Sequence, residues 1–177
     1  TSAIIWVSGA KGGFDGPADG LSGVLAEELV NVGISSLRVD YRVPGNLPDS
    51  TMDTLAAISY LKSVGFKSIV LVGYSFGGAV AITAAPFSPL CSGVVAISCQ
   101  TFEAVNASWV SPRSLLLLHG QIDTRLPASC SERIFSWAEE PKELIILPGG
   151  DHSLRSCRKE VYGYLNSWLL SHFKREI

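Results

Sequence analysis

The sequence predicts an α/β fold, a three-layer sandwich in which a doubly wound, mostly parallel sheet of six strands lies between helices. Short apolar runs alternate along the chain with amphipathic stretches of helical length, the pattern of strands joined by helical crossovers. These runs are continuously apolar, as strands buried on both faces are, rather than alternating. Of the 177 residues, 47% are hydrophobic and 17% charged, which is enough apolar material for one core and too much for a disordered chain. One domain over residues 1–177 is the expectation, with no internal repeat or low-complexity segment.

The first strand is Ile4 to Ser8, followed by a glycine-rich loop. A helix is expected over Asp19 to Val32, where Leu21, Val24, Leu25 and Leu29 recur at helical spacing. Glu27 and Glu28 fall on its solvent face, and Gly33 can take the left-handed conformation that ends it. After a second strand, Ser36 to Asp40, a helix from Ser50 to Val64 has N-cap candidates in Asp49 and Ser50 and a stop at Gly65. The third strand is Ser68 to Gly73, and a small-residue helix, Phe76 to Ala85, follows it. Beyond the fourth strand, Gly93 to Ser98, residues 99–112 carry Asn106, Trp109 and Pro112 without helical pattern and read as a loop near the strand ends. The fifth strand is Ser114 to His119, the next helix Ser129 to Ala138, the sixth strand Glu143 to Leu147, and the last helix Arg155 to Phe173.

Fourteen Lys and Arg against sixteen Asp and Glu give a net charge of −2, which provides no electrostatic footprint for nucleic acid or an anionic membrane surface. The longest apolar runs, such as Ala3 to Val7 and Leu115 to Leu118, are far short of the roughly 18 residues of a membrane-spanning helix. Thr1-Ser2 lacks the basic region of a secretory signal; the chain opens without Met, so a lost targeting segment stays open. Cys91, Cys99, Cys130 and Cys157 form no C-x-x-C pair and read as free, mostly buried thiols of a reducing compartment, with the cytoplasm as the expected location. No His, Cys or Asp cluster has metal-ligand spacing, and no metal or cofactor is expected. The loop Ser8-Gly9-Ala10-Lys11-Gly12-Gly13-Phe14-Asp15-Gly16 lacks both G-x-G-x-x-G spacing and a G-K-[ST] ending, and it runs through Pro17 before any helix. Nucleotide binding is disfavoured on those grounds.

Chemistry concentrates at the end of the third strand, which reads Gly73-Tyr74-Ser75-Phe76-Gly77-Gly78. A serine on a sharp strand-to-helix turn sits in a strained backbone, and a Cβ two residues to either side would collide with the neighbouring strand and helix. A serine hydroxyl needs an adjacent base. Of three histidines, His152 lies in a Gly-Gly-Asp-His-Ser loop after the sixth strand, at the sheet edge where the strand ends converge on Ser75. His119 reads as a structural side chain at a strand end and His172 as a solvated helix residue. Asp123, just past the fifth strand, is the first candidate to orient His152. Asp151 is the runner-up, better read as a solvent-facing or loop-bracing residue.

The elbow G-Y-S-F-G-G, the segment His119-Gly120-Gln121-Ile122-Asp123-Thr124-Arg125-Leu126-Pro127 and the late G-G-D-H loop occur in the order nucleophile, acid, histidine. Over nearly its whole length the chain resembles the α/β-hydrolase superfamily, which uses that order. It is similar above all to small lidless members of the dienelactone-hydrolase-like and serine-aminopeptidase-like kind, although true dienelactone hydrolases use cysteine where Ser75 stands. The resemblance implies strand order 2-1-3-4-5-6 and an oxyanion hole of two backbone N–H groups. One is that of Phe76; the other is that of Ala10 or, second, Lys11, in a loop where Ser8-Gly9 replaces the His-Gly of many relatives. Larger members carry two strands before the first, so this is a minimal version of the fold or a truncated one. The activity implied is hydrolysis of a small carboxylic ester or thioester, with Tyr74, Phe14, Phe102 and Trp109 as candidate walls of an acyl pocket. Arg42 could meet an acidic substrate or serve the structure. A narrow-specificity peptidase and a non-catalytic ligand- or partner-binding module are the alternatives, and the oligomeric state stays open.

Overall fold

Six strands, β1 (Ser2–Val7), β2 (Ile34–Val39), β3 (Ser68–Tyr74), β4 (Cys91–Ile97), β5 (Ser114–Gly120) and β6 (Lys142–Leu147), form one sheet in the order β2-β1-β3-β4-β5-β6 in the computed structural model. The structure describes residues 1–175. Every neighbouring pair is parallel, and the predicted fold class and strand order both hold. Five helices complete the layers: α1 (Pro17–Leu29), α2 (Leu47–Ser63), α3 (Phe76–Ala84), α4 (Ser129–Trp137) and α5 (Arg158–Lys174).

Strand alternation builds the two cores. Ile5, Val7, Leu71, Ala96 and Leu117 pack with Ile58 of α2, Ala81 of α3 and Ile134 of α4. Their immediate neighbours Ile4, Trp6, Val72, Ile97 and Leu118 pack on the opposite face with Leu21 and Leu25 of α1 and Leu165 and Leu169 of α5. Because both faces are covered, the central strands β1, β3, β4 and β5 have almost no polar side to show, which is why they read as apolar runs, while the edge strands β2 and β6 carry exposed Arg38 and Glu143. The chain leaves β1 outward to β2 and returns on its other side to β3, so the connections diverge at the carboxyl ends of β1 and β3. A crevice at that switch point is where such sheets bind ligands.

Several elements differ from the sequence reading. Helix α2 starts at Leu47 rather than Ser50, because Asn46 is the cap: its Oδ1 accepts the Asp49 N–H at 3.0 Å, and Pro48 occupies the first turn, where no donor is needed. Ala18, Asp19 and Gly20 have left-handed φ of 53°, 55° and 73°, which delays regular helix in α1 to about Leu21. Val30–Val32 continues α1 as a 3₁₀ turn, and Gly33 ends it at φ 81°. The segment 99–112 contains a 3₁₀ turn, Val105–Val110, which buries Ala107 and Val110. His172 is not solvated. It is 6% exposed, stacks on Trp168 with ring centroids 4.8 Å apart, and lies with Nε2 2.9 Å from Ser92 Oγ. Gly93 makes this possible: a Cβ there would stand 2.9 Å from Trp168 Cη2 and 3.0 Å from His172 Cε1. All four cysteines are free, with Cys91, Cys99 and Cys157 buried. Among the described residues no helix is long and apolar enough to cross a membrane.

Gly93→Ala should therefore push the stacked pair off β4 and lower stability by about 1–3 kcal/mol, the usual cost of overpacking. Urea unfolding followed by tryptophan fluorescence measures it; an unchanged midpoint would show that the rings yield freely.

Candidate active site

Ser75 sits between β3 and α3 with φ 56° and ψ −118°, a conformation that costs a non-glycine residue on the order of 1–3 kcal/mol. Its N–H donates to the Ile97 carbonyl at 2.7 Å. The glycines around it are sterically required. A Cβ at Gly73 would overlap the Gly77 carbonyl, one at Gly77 would overlap the carbonyls of Val7 and Ser8, and one at Gly78 would stand 2.6 Å from Cys99 Sγ. Phe76 opens α3, so its N–H has no acceptor within the helix and is free to point at a ligand.

The other half of the site comes from the loops after β5 and β6, which are joined at the backbone. Gln121 N–H donates to Leu147 at 2.9 Å and Ile122 N–H to Gly150 at 2.9 Å. A Cβ at Gly120 would collide with the Gly150 carbonyl. This contact brings Asp123 Oδ2 to 2.7 Å from His152 Nδ1. A carboxylate only accepts, so Nδ1 carries the proton and the Nε2 lone pair faces away from Asp123. Oδ1 accepts the N–H groups of Arg125 and Leu126, both at 2.9 Å. Burial pushes the Asp123 carboxyl up, but the hydrogen bonds from Leu126, His152 and Arg125 outweigh it and hold the group below the usual carboxylate range. Asp151 turns elsewhere: it accepts from Ser153 Oγ at 2.9 Å and Leu154 N–H at 2.7 Å, bracing the turn after His152.

Two side chains absent from the sequence reading of the site hold its parts in place. Fully buried His119 has Nε2 facing the Leu126 carbonyl at 2.8 Å and Asp123 Oδ2 at 3.2 Å. Two acceptors at Nε2 require a proton there, which leaves Nδ1 to accept the Ser131 hydroxyl at 2.6 Å. His119 thus ties the acid loop to α4 and β5. Ser98 donates from Oγ to the His152 carbonyl at 3.1 Å, and Tyr74 donates to the same oxygen at 3.2 Å. The signal for Ser98 would have been its place at the end of β4, level with the elbow. Desolvation raises the Tyr74 pKa, so the hydroxyl keeps its proton and remains a donor.

The candidate oxyanion loop is pinned from both ends. Tyr41 O–H donates to the Ser8 carbonyl at 2.8 Å, and Gly13 N–H donates to Asp40 Oδ1 at 2.7 Å. Gly12 N–H closes a turn on the Gly9 carbonyl at 3.0 Å, with Ala10 and Lys11 at its centre. Gly9 lies against the elbow, where a Cβ would be 3.9 Å from Ser75 Cβ. Phe14 and Tyr74 line one narrow cleft of about 20 Å³, room for roughly one water, with Trp6, Ser8, Arg38, Val72 and Ile97. Phe102 and Trp109 do not join them; they are exposed on the segment after β4. Arg42 is bound to Asp53 through its side chain and its N–H, so its part in the structure is to brace α2.

The chain spans about half the length of the curated relatives it matches. It is 31% identical over 130 residues to uncharacterized protein YfhR of Escherichia coli (strain K12), covering 60% of this chain and 45% of that protein. It is 31% identical over 159 residues to uncharacterized protein Rv2307c of Mycobacterium tuberculosis, covering 73% and 57%. No family model matches it. Among solved structures, the α/β hydrolase GrgF from Penicillium superposes with a TM-score of 0.79 at 18% identity, over 98% of this chain and 89% of that one. The chain has the α/β-hydrolase fold. A dienelactone hydrolase from Anabaena variabilis, TM-score 0.83 at 18% identity, shares that fold over 97% of this chain and 86% of its own. So does the esterase domain of a Rhodothermus marinus protein, TM-score 0.76 at 19% identity, over 94% and 85%. Within the α/β-hydrolase fold, the elbow and the two zipped loops occupy the carboxyl edge of the sheet.

The depressed Asp123 pKa sets a direction for acid unfolding. An ionised Asp123 stabilises the fold fully above the unfolded carboxylate pKa, about 3.9, and that contribution is lost as pH falls through the lower folded value. Asp123→Asn should therefore lose stability at neutral pH and show a shallower decline below about pH 4. Circular dichroism during acid titration of both proteins measures this; parallel curves would contradict it.

Proposed function

We propose that the chain is a serine hydrolase that cleaves small carboxylic esters or thioesters through an acyl-enzyme. The observation that carries the reading is the 2.7 Å bond between Asp123 and His152 at the sheet edge that also presents Ser75 on its elbow. Ser75 Oγ attacks the substrate carbonyl while His152 Nε2 takes its proton, and the Asp123 carboxylate holds the ring orientation and stabilises the imidazolium. The tetrahedral oxyanion is held by the Phe76 N–H and by that of Ala10, with Lys11 as the second choice; a lost donor costs ~10²–10³ in turnover in such enzymes. His152 returns the proton to the departing alcohol or thiol. Water, deprotonated by His152, then attacks the acyl-enzyme, and the carboxylic acid leaves as Ser75 regains its proton.

Tyr74 and Phe14 form the acyl-binding wall, and Phe102 and Trp109 give an apolar rim on the segment after β4. Ser75 and His152 form no hydrogen bond in this structure. In the resting state of such sites that contact is often long and tightens with substrate. Relatives described as hydrolase and esterase share the fold, which favours this chemistry over a binding module. The four free cysteines fit a reducing compartment, the cytoplasm.

Hydrolysis of p-nitrophenyl esters from acetate to long-chain acyl, with wild type beside Ser75→Ala, tests the reading. Wild type should turn over short esters and take a fluorophosphonate label, and the variant should lose the label and at least ~10³-fold in kcat while unfolding at the same temperature. Silence of the wild type on every ester and no label would move the assignment to a binding module.

A further inference from the structure

His119 is wholly buried at the end of β5, beside the Asp123 loop and α4. A buried histidine needs a partner at each ring nitrogen, and this one has Ser131 Oγ 2.6 Å from Nδ1 and the Leu126 carbonyl 2.8 Å from Nε2. Those two bonds suffice to tie the loop to the helix. Nε2 has a further contact, Asp123 Oδ2 at 3.2 Å, and that oxygen is the one that meets His152 Nδ1 at 2.7 Å. Two imidazoles therefore share one carboxylate oxygen, the first from a strand end and the second from a loop.

An ionised carboxylate offers about four lone-pair sites. On Asp123 they are taken by the Arg125 and Leu126 N–H groups at Oδ1 and by the two ring N–H groups at Oδ2. The carboxylate cannot turn without breaking one of these bonds, so Oδ2 stays aimed at His152. The His119 bond also draws on the negative charge of Oδ2, which leaves less of it to stabilise a protonated His152 ring. We infer that His119 is a positioning residue for the proposed triad, a conclusion that rests on the hydrolase reading above: it holds Asp123 Oδ2 toward His152 and keeps that base weaker than Asp123 alone would make it. The other titratable groups around the pair stand further off. Arg125, Asp151 and Arg155 are exposed, and Tyr74 of β3, its ring centroid 5.4 Å from that of His152, keeps its proton. Beyond β4 lies Cys99, whose thiol is kept protonated by burial, and α4 brings half-buried Cys130 and exposed Glu132. Among the described residues Oδ2 itself is bonded by the two histidines.

The test follows the His152 ring by NMR and kcat/KM on p-nitrophenyl acetate against pH, in wild type, His119→Asn and His119→Gln. The Asn side chain still reaches the Ser131 hydroxyl but is too short for Oδ2, whereas Gln places an N–H near the position of Nε2. In His119→Asn the midpoint of the His152 titration and the acid limb of kcat/KM should move together to higher pH, by about half a unit to one unit, because Oδ2 keeps more of its charge. His119→Gln should titrate with wild type. Equal midpoints in all three proteins, a downward shift in His119→Asn, or the same shift in both variants overturns the inference; a merely structural role would lower the unfolding temperature of the variants and leave the midpoint in place. Should neither variant fold, the wild type decides. The His119 Nε2–H resonance should then shift with the His152 midpoint, since both protons lie on one oxygen, and a resonance indifferent to that titration overturns the inference. His152 titrates whether or not an ester is turned over. With no turnover and no fluorophosphonate label the hydrolase reading has failed by itself, and the NMR midpoints still decide the role of His119.

Discussion

The backbone crossing at the elbow is the constraint on which the rest of the site depends. Helix α3 can begin directly above β3 only because Gly73 and Gly77 have no Cβ, so that the first helical turn rests on the carbonyls of Val7 and Ser8. That contact does three things at once. It forces Ser75 into its positive-φ geometry, it leaves the free N–H of Phe76 at the sheet edge, and it sets the end of β1 beside Ser75. The neighbouring loop then inherits its position from β1, through Tyr41 on the Ser8 carbonyl and Asp40 on Gly13. A side chain larger than hydrogen at either glycine would separate α3 from β1 and undo all three.

The histidine side is built by a second close approach, with Asp123 at its centre. Gly120 and Gly150 let the β5 and β6 loops touch at the backbone, and the Asp123 carboxylate accepts from two N–H groups and from His152, with the His119 ring beside it. Each of these bonds favours the charged carboxylate, and together they overcome the cost of its burial. The same bonds fix its direction, because the Arg125 and Leu126 amides occupy Oδ1 and leave Oδ2 for His152. Asp151 could not replace it: its oxygens are committed to the turn that carries His152.

The strands, the elbow turn and the closeness of Asp123 and His152 were legible in the sequence because they rest on patterns of fixed period and on glycines at fixed offsets, while the strand order followed from the resemblance. The unbroken apolar runs at 68–73 and 114–119 follow from burial on both faces, and the G-Y-S-F-G-G spacing follows from the elbow crossing. What escaped depends on partners distant in the chain. His172 is polar at the end of an amphipathic helix, and only the missing Cβ of Gly93, 79 residues earlier, explains why it is buried. Ser98 is an unremarked serine in the sequence and becomes a tether of the His152 loop only when β4 lies beside β3. Phe102 and Trp109 share their residue type with Phe14 and Tyr74, yet type alone could not say that the first pair is exposed beyond β4 while the second lines the cleft. Helix α2 was misplaced by three residues because Asp49-Ser50 and Asn46 are all competent caps, and the choice fell to the one followed by proline.

Backbone strain is distributed around His152 in a way that links the two halves. Six non-glycine residues among those described have positive φ, and four of them bear on this loop. Ser75 forms the elbow facing this loop, Ser98 donates to the His152 carbonyl, Leu154 ends the His152 turn, and Ala18 donates its N–H to the Ser153 carbonyl at 2.7 Å. Each such residue costs on the order of 1–3 kcal/mol, so their concentration here persists only because the surrounding hydrogen bonds over-determine them. The Ser98 and Tyr74 hydroxyls, the Asp151 brace and the Ala18 amide all act on one short segment. Loosening any one of these would let the backbone relax toward ordinary φ, and His152 would drift from the elbow. The fold thus sets two rigid loop clusters on opposite sides of the switch point and spends local strain to hold the imidazole between them.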